Sequence, residues 1–300
     1  MPSTAGIFVP VRINTKKKKL KEFEDEAEEL ARVPRVSRIP QKEKAHHSSQ
    51  GMEGCVHSST AHGPSPKGNS HHVAGSPEKK DGEINHADRR FHAENEYPTR
   101  FSLQEMEIDI GSWICLACPT STRKCRDCKQ YEGHEDSLVI AIHGECLTEK
   151  TRKRSAIGVF YGRGNAGNIS WPVPGKDDHS HTTQIADLTA CLRALRNATL
   201  IIEKRSKMMR KGKVLMPLNT FVIKTDSEYL VRSLTEWLPK WKKNGWKTCK
   251  GVPVANADMF KLLETGIIMV EMVVQVKFWL VPKENNLEAT CLAKMALMME

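Results

Sequence analysis

The 300-residue chain has no apolar run approaching ~20 residues, so no membrane-spanning helix is expected. It has no apolar segment near its N-terminus, so no secretory signal is expected, and an intracellular location follows as the expectation. The nine cysteines are therefore read as reduced thiols or metal ligands before disulfides. Large apolar side chains are scarce between residues 40 and 100, where Ser, Gly, His, Pro and Lys dominate. Such a stretch cannot bury enough surface to offset its backbone entropy, and residues 1–110 are expected to be largely disordered. Acidic residues are outnumbered, 36 Asp+Glu against 46 Lys+Arg. The resulting charge of +10 favours an anionic partner (nucleic acid, an anionic membrane or an acidic protein) or simply a solvated basic surface.

What the sequence does contain is unevenly placed. Residues 15–32 read as a short charged helix, with Leu20, Phe23, Ala27 and Leu30 at helical spacing. Lys16–Lys19 with Lys21 are open to two readings, a nuclear address or a solvated charge run. Residues 111–135 form a cysteine-rich segment in which Cys115, Cys118, Cys125 and Cys128 are spaced C-x2-C-x6-C-x2-C. Two close pairs can supply four thiolates to one tetrahedral Zn²⁺, and soft sulfur suits that ion. The other reading is four reduced cysteines in a loop.

The last 165 residues carry most of the Leu, Ile, Val, Trp and Phe, enough for one ordinary core. Short apolar runs at 138–144, 156–162, 168–173, 221–225 and 273–281 read as strands. Residues 182–209 read as a helix, because Ile185, Leu188, Leu192 and Leu195 share one face. Asp226-Ser227 offers an N-cap for a helix running to Leu238, and residues 286–299 read as the last helix. Three initial strands followed by alternating helices and strands give an α/β fold with a mixed sheet.

The segment KTDSEYLVRSLTEWLPKWKKNGWKT (224–248) resembles type 1 ribonuclease H, in the TDSEY strand end and in the W-x3-W-K-K-N-G-W handle. The likeness continues through VPVANADMFKLLE (252–264) and more loosely over residues 138–299. The resemblance implies a domain spanning about 136–300, with a five-stranded mixed sheet flanked by helices. It also implies a substrate of RNA–DNA hybrid whose RNA strand is hydrolysed with Mg²⁺. Two-ion hydrolysis needs one metal to activate water and one to stabilise the leaving oxygen, and hard Mg²⁺ takes carboxylate oxygens.

The family gathers four acids for this purpose, and this chain keeps them incompletely. The first-strand Asp-Gly appears as His143-Gly144. The helix Glu falls on Asp187, the TDS aspartate is Asp226, and the last acid falls on Thr290. By resemblance Asp187 and Asp226 are thus the remaining Mg²⁺ ligands, while His143 and Thr290 stand at substituted ligand positions. A neutral imidazole has one usable nitrogen and cannot bridge two ions, and Thr290 offers only a hydroxyl. Glu145, two residues beyond His143, can face the same side of an extended strand. Without the resemblance, Asp226 and Asp187 read as a helix cap and a dipole partner.

The binding surface survives better. Lys240, Lys242, Lys243, Lys247 and Lys250 can meet phosphates, and Trp237 and Trp241 offer flat apolar faces for sugar or base contact or else core packing. By resemblance, the two tryptophans line the channel for the DNA strand. Thr182 and Asn256 hold a DNA phosphate, and Gly144 and Gln184 make minor-groove contacts. Two departures are Ser180, where the family's phosphate pocket has arginine, and the loop TEKTRKR between the first two strands. The expectation is a hybrid-binding module with weak or absent hydrolysis. The competing reading is an active hybrid ribonuclease that works through Asp187, Asp226 and substitute ligands.

Overall fold

The computed structural model describes residues 89–149, 152–175, 181–211 and 216–299. The chain divides into two units, one of residues 1–32 with 86–300 and one of residues 33–85, which lies wholly outside the described residues. The helix expected at 15–32, its lysine run and Ser180 also lie outside them.

The elements in chain order are α1 (Ala93–Glu96), β1 (Glu107–Asp109), β2 (Ile114–Ala117), β3 (Gly133–Glu149), β4 (Arg152–Phe160) and β5 (Ile169–Pro172). They are followed by α2 (Thr183–Arg210), β6 (Thr220–Thr225), α3 (Glu228–Arg232), α4 (Leu238–Lys243), α5 (Ala257–Glu271), β7 (Gln275–Leu280) and α6 (Leu287–Met298). The expected five strands are β3 to β7, with β3, β4 and β5 antiparallel and β6 and β7 added in parallel. This is the α/β mixed sheet with flanking helices that the resemblance implied.

The structure adds two strands that the sequence did not suggest, making a seven-stranded sheet. Val139 of β3 pairs with Val222 of β6 on one edge and Ile114 of β2 on the other. Further along, Ala141 pairs with Lys224 of β6 and Phe160 of β4. So β2 and β4 occupy the same edge of β3 in succession, and β1 pairs outside β2. The expected disorder up to residue 110 therefore gives way at residue 89. Phe91, Tyr97 and Phe101 are buried in one core cluster with Trp279, and Tyr97 Oη donates to Ala117 O at 2.7 Å. Arg89 makes a two-point ion pair with Glu271, at 2.8 and 2.6 Å.

The central strands read as unbroken apolar runs because both sheet faces are covered. Two glycines show which helix covers which face. A Cβ on Gly144 would lie 2.3 Å from the Asp187 backbone nitrogen in α2. One on Gly158 would lie 1.9 Å from Ala289 O in α6. Gly144 pairs with Ile157, and His143 pairs with Gly158. Paired residues share a face and successive residues alternate, so α2 and α6 lie on opposite faces, and His143 belongs to the α6 face.

One ion pair ties the added strands to the sheet interior. The Lys224 ammonium, 3 % exposed, donates to both carboxylate oxygens of Glu107 on β1, at 2.6 and 2.8 Å. Removing one partner of such a pair leaves a buried charge uncompensated, which costs more than replacing both by apolar groups. Glu107→Gln is expected to cost about 3 kcal/mol in urea unfolding, whereas Glu107→Leu with Lys224→Met should cost much less. Equal losses in the two variants would show that the pair does not bear on stability.

Candidate functional site

The expected site residues sit where β3, β6, α2 and α6 meet. Thr182 starts α2, its hydroxyl accepting the Ile185 N–H at 3.1 Å. This places Asp187 in the second turn, buried against Gly144. Ser227 caps α3 by accepting the Leu230 N–H at 3.3 Å, so Asp226 falls between the end of β6 and that cap. Asn286 precedes α6 and puts Thr290 one turn inside it.

His143, Asp187 and Asp226 are brought together directly. His143 Nδ1 lies 2.8 Å from Asp226 Oδ1, and Nε2 lies 3.3 Å from Glu145 Oε2. Both partners are carboxylates, so satisfying both at once takes the doubly protonated ring. Burial alone would lower the His143 pKa, but the hydrogen bond and charge of Asp226, with Glu145 and Asp187, outweigh it and raise it. Burial would likewise raise Asp226, but His143 and Asn286 hold it below the usual carboxylate value. Asp187 goes the other way. Burial pushes its carboxyl up to about 6, against hydrogen bonds from Ser227 and the Gly144 N–H, the latter at 2.8 Å.

Thr290 joins the group only indirectly. Its buried hydroxyl donates to Asn286 O at 2.9 Å. Asn286 is the residue that the sequence reading missed. Fully buried, it donates through Nδ2 to Asp226 Oδ1 at 2.7 Å and to Ile142 O at 2.9 Å. Its Oδ1 has no partner among the described residues. The signal was the Asn that opens the NLEATCLA segment, read only as the start of a helix.

In this arrangement the acids are engaged by other groups of the protein. Asp226 Oδ1 already meets two side-chain nitrogens, Asp187 Oδ1 accepts the Gly144 N–H, and an imidazole stands between two carboxylates. Among the described residues, no group of three or more His, Cys, Asp or Glu side chains is arranged to hold a metal ion. The four cysteines of the zinc expectation divide, with Cys115 buried, Cys118 and Cys125 partly exposed and Cys128 exposed. Cys115 points into the core, its sulfur directed at Ile108 O at 3.8 Å, and burial pushes its thiol up to about 12. The Cys118 sulfur meets Thr120 Oγ1 at 3.0 Å.

The expected nucleic-acid residues divide. Trp237 and Trp241 are half-buried, their rings 5.8 Å apart. Trp241 packs on Phe260 at 5.0 Å, and Arg232 lies over Trp237 at 5.1 Å. Core packing and an exposed face are thus combined in both. A π turn at Ser233–Trp237 precedes α4. The Pro239 ring would clash with the carbonyl four residues back in a regular helix, and one extra residue in the turn relieves this. Lys242 is not free, because its ammonium is 2.7 Å from the buried Glu264. Lys240, Lys243, Lys247 and Lys250 are exposed around it. Gln184 is exposed and Thr182 partly so. Asn256 takes a left-handed conformation at the start of α5, φ 58°. Gly144 is buried, and its N–H donates to Asp187.

Comparison with known proteins locates this architecture. Residues 135–278 match the family model described as RNase H. Over 140 residues the chain is 32 % identical to Ribonuclease H1 of Homo sapiens, covering 46 % of this chain and 42 % of that protein. Over 146 residues it is 31 % identical to Ribonuclease H of Schizosaccharomyces pombe, covering 46 % and 47 %. The chain thus spans less than half the length of these curated relatives. Among solved structures, LC11-RNase H1 in complex with RNA/DNA hybrid aligns over 54 % of this chain and 96 % of that one, at 18 % identity and a TM-score of 0.34. Over residues 135–278 this chain is thus similar to the RNase H family.

Proposed function

We propose that the domain binds RNA–DNA hybrid through the face formed by α4 and α5 and the N-terminus of α2, and that its hydrolytic step is weak or absent. The observation that carries this reading is the His143–Asp226 hydrogen bond. The one acid kept in its family position is engaged by the imidazole that replaces another. Formal charge at the four family positions falls from about −4 to −2, which weakens attraction for divalent ions at close range. If about 4 kcal/mol of metal-based stabilisation is lost, the rate falls roughly a thousandfold. The chain's own groups retain the binding half of the task. Exposed lysines beside two half-buried tryptophans suit backbone tracking, with flat contact to sugar or base.

A second reading is an active hybrid ribonuclease that works through Asp187, Asp226 and a substitute ligand. It is favoured by the names of the relatives, which are ribonucleases H, and by Glu145, whose carboxylate reaches His143 on the α6 face. The two readings differ in what the protein does to labelled hybrid, and share the binding surface. A zinc role for the cysteines needs ligands other than Cys115.

Binding is expected to be salt-sensitive. About four lysines on phosphates give log K against log salt a slope of about −3 to −4. Lys240→Ala with Lys247→Ala should flatten that slope by about two units and weaken binding across sequences alike. An unchanged slope would remove this face from the interface.

Hydrolysis of labelled hybrid in Mg²⁺ is expected to be at or near background for the unaltered chain. His143→Asp should recover part of the activity. His143→Asp with Thr290→Asp should recover more than the two single effects added as free energies, because the ligands build one shared site. Robust cleavage by the unaltered chain, abolished by Asp226→Asn, would overturn this reading and establish the second.

A further inference from the structure

The helix α2 carries charge that the proposed hybrid face does not use. It runs for 28 residues, about 42 Å, and its side chains sort by face. Leu188, Cys191, Leu195 and Ala198 are buried on one side. On the other side lie Arg193, Arg196, Leu200, Lys204, Lys207 and Lys211, the last directly after the helix. At about 100° per residue these positions fall within about 80° of arc, so they form one straight stripe about 27 Å long. All but Leu200 are basic. Arg193 and Arg196 are partly exposed, and the rest of the stripe is exposed. Glu203 is the one acid in the second half of the helix, and it reaches Lys207 only at 3.9 Å. Lys204 and Lys211 form no ion pair among the described residues.

The stripe is held rigid and set apart from the hybrid face. Arg205 Nη2 donates to Met216 O at 2.6 Å and to Glu135 O at 3.4 Å, which ties the end of α2 to the start of β3 and to the segment before β6. The Lys211 N–H closes the helix on Met208 O at 3.1 Å. At the other end of the stripe, the Arg193 guanidinium lies over the Trp171 ring of β5 at 5.0 Å. β4 and β5 extend the sheet from one edge of β3, whereas β6 and β7, between which α4 and α5 fall in the chain, extend it from the other. Arg193 is already about 16 Å along the helix axis from Thr182, and the stripe runs onward from there.

A straight row of cations suits a linear polyanion. The opposite face of α2 is committed to the core, so the helix has no apolar face to lay into a lipid surface, as an interfacial helix requires. The stripe holds no aromatic ring on which unpaired bases could stack. What it offers is point charges for phosphates, and duplex DNA presents these densely, about one charge per 1.7 Å of axis. We propose that this stripe is a second nucleic-acid site, which holds a duplex by its phosphates without reading its sequence. The site acts independently of the face formed by α4, α5 and the N-terminus of α2, and does not depend on that face binding hybrid.

The test uses the full chain and short duplexes of DNA, RNA and RNA–DNA hybrid, with affinity and stoichiometry followed against salt. In the Lys240→Ala, Lys247→Ala chain, whose hybrid face is weakened, a binding phase should remain for all three duplexes. Its affinities should agree within about threefold, with a slope of log K against log salt of about −4. Adding Lys204→Ala, Lys207→Ala and Lys211→Ala should flatten that slope by about two to three units and weaken binding at least about tenfold. Alanine favours helix at exposed positions, so the fold should be kept, which circular dichroism checks. The three stripe substitutions alone should leave the chain binding one duplex fewer than the unaltered chain. If they change neither slope nor stoichiometry, the proposal is overturned, while the hybrid-face reading still rests on Lys240 and Lys247. Equal or tighter binding to phosphatidylserine vesicles, lost in the same variant, would also overturn it and assign the stripe to a membrane surface.

Discussion

Seventeen residues of continuous extended chain give β3 enough edge for three partners, and the other elements take their places from that length. Along one edge β6 pairs in parallel with Ser137–Ala141. Along the other, β2 pairs with the first part of β3 and β4 with the rest. A strand shared in this way cannot shift register without moving its neighbours, and a one-residue slip would exchange the faces on which Gly144 and His143 lie. Gly144 can lie against α2 only without a Cβ, and Gly158 similarly admits α6. The helices that carry Asp187 and Thr290 are thereby fixed in depth against the strand that carries His143.

The binding and hydrolytic halves of the proposed function place different demands on this scaffold. The proposed hybrid-binding face depends on helix surfaces, where one lysine can turn aside to Glu264 while its neighbours stay exposed. A two-ion site depends on several oxygens converging, and each replacement affects all the others. At His143 an imidazole meets both Asp226 and Glu145. Asn286 reinforces that arrangement from below, holding Asp226 and the Ile142 carbonyl together. A fold can keep its strand ends in register while the chemistry placed on them changes.

The sequence made β3 to β7 and α2 legible because their apolar residues follow strand or helix periods without interruption. It also made His143, Asp187, Asp226 and Thr290 legible as a group, through the TDSEY and NLEATCLA segments. The added strands were not legible. Glu107–Asp109 is too short to show alternation, and Ile114–Ala117 lies in a cysteine-rich run whose spacing suggested a metal. Cys115 is instead an apolar side chain of the core. Phe91, Tyr97 and Phe101 sit among charged residues and pack through tertiary contacts that no local period announces. The same holds for Asn286 and for the Lys224–Glu107 pair, whose partners lie 60 and 117 residues away.

The proposed loss of the two-ion site is tested most directly by titrating Mn²⁺ into the unaltered chain by calorimetry, with Asp226→Asn as the reference. Mn²⁺ takes the same oxygen ligands as Mg²⁺ and generally binds more tightly, so a surviving site would show. The expected result is no saturable two-ion binding in the millimolar range and no difference between the two proteins. Two saturable ions per chain, lost on Asp226→Asn, would contradict the claim that His143 has replaced the metal site.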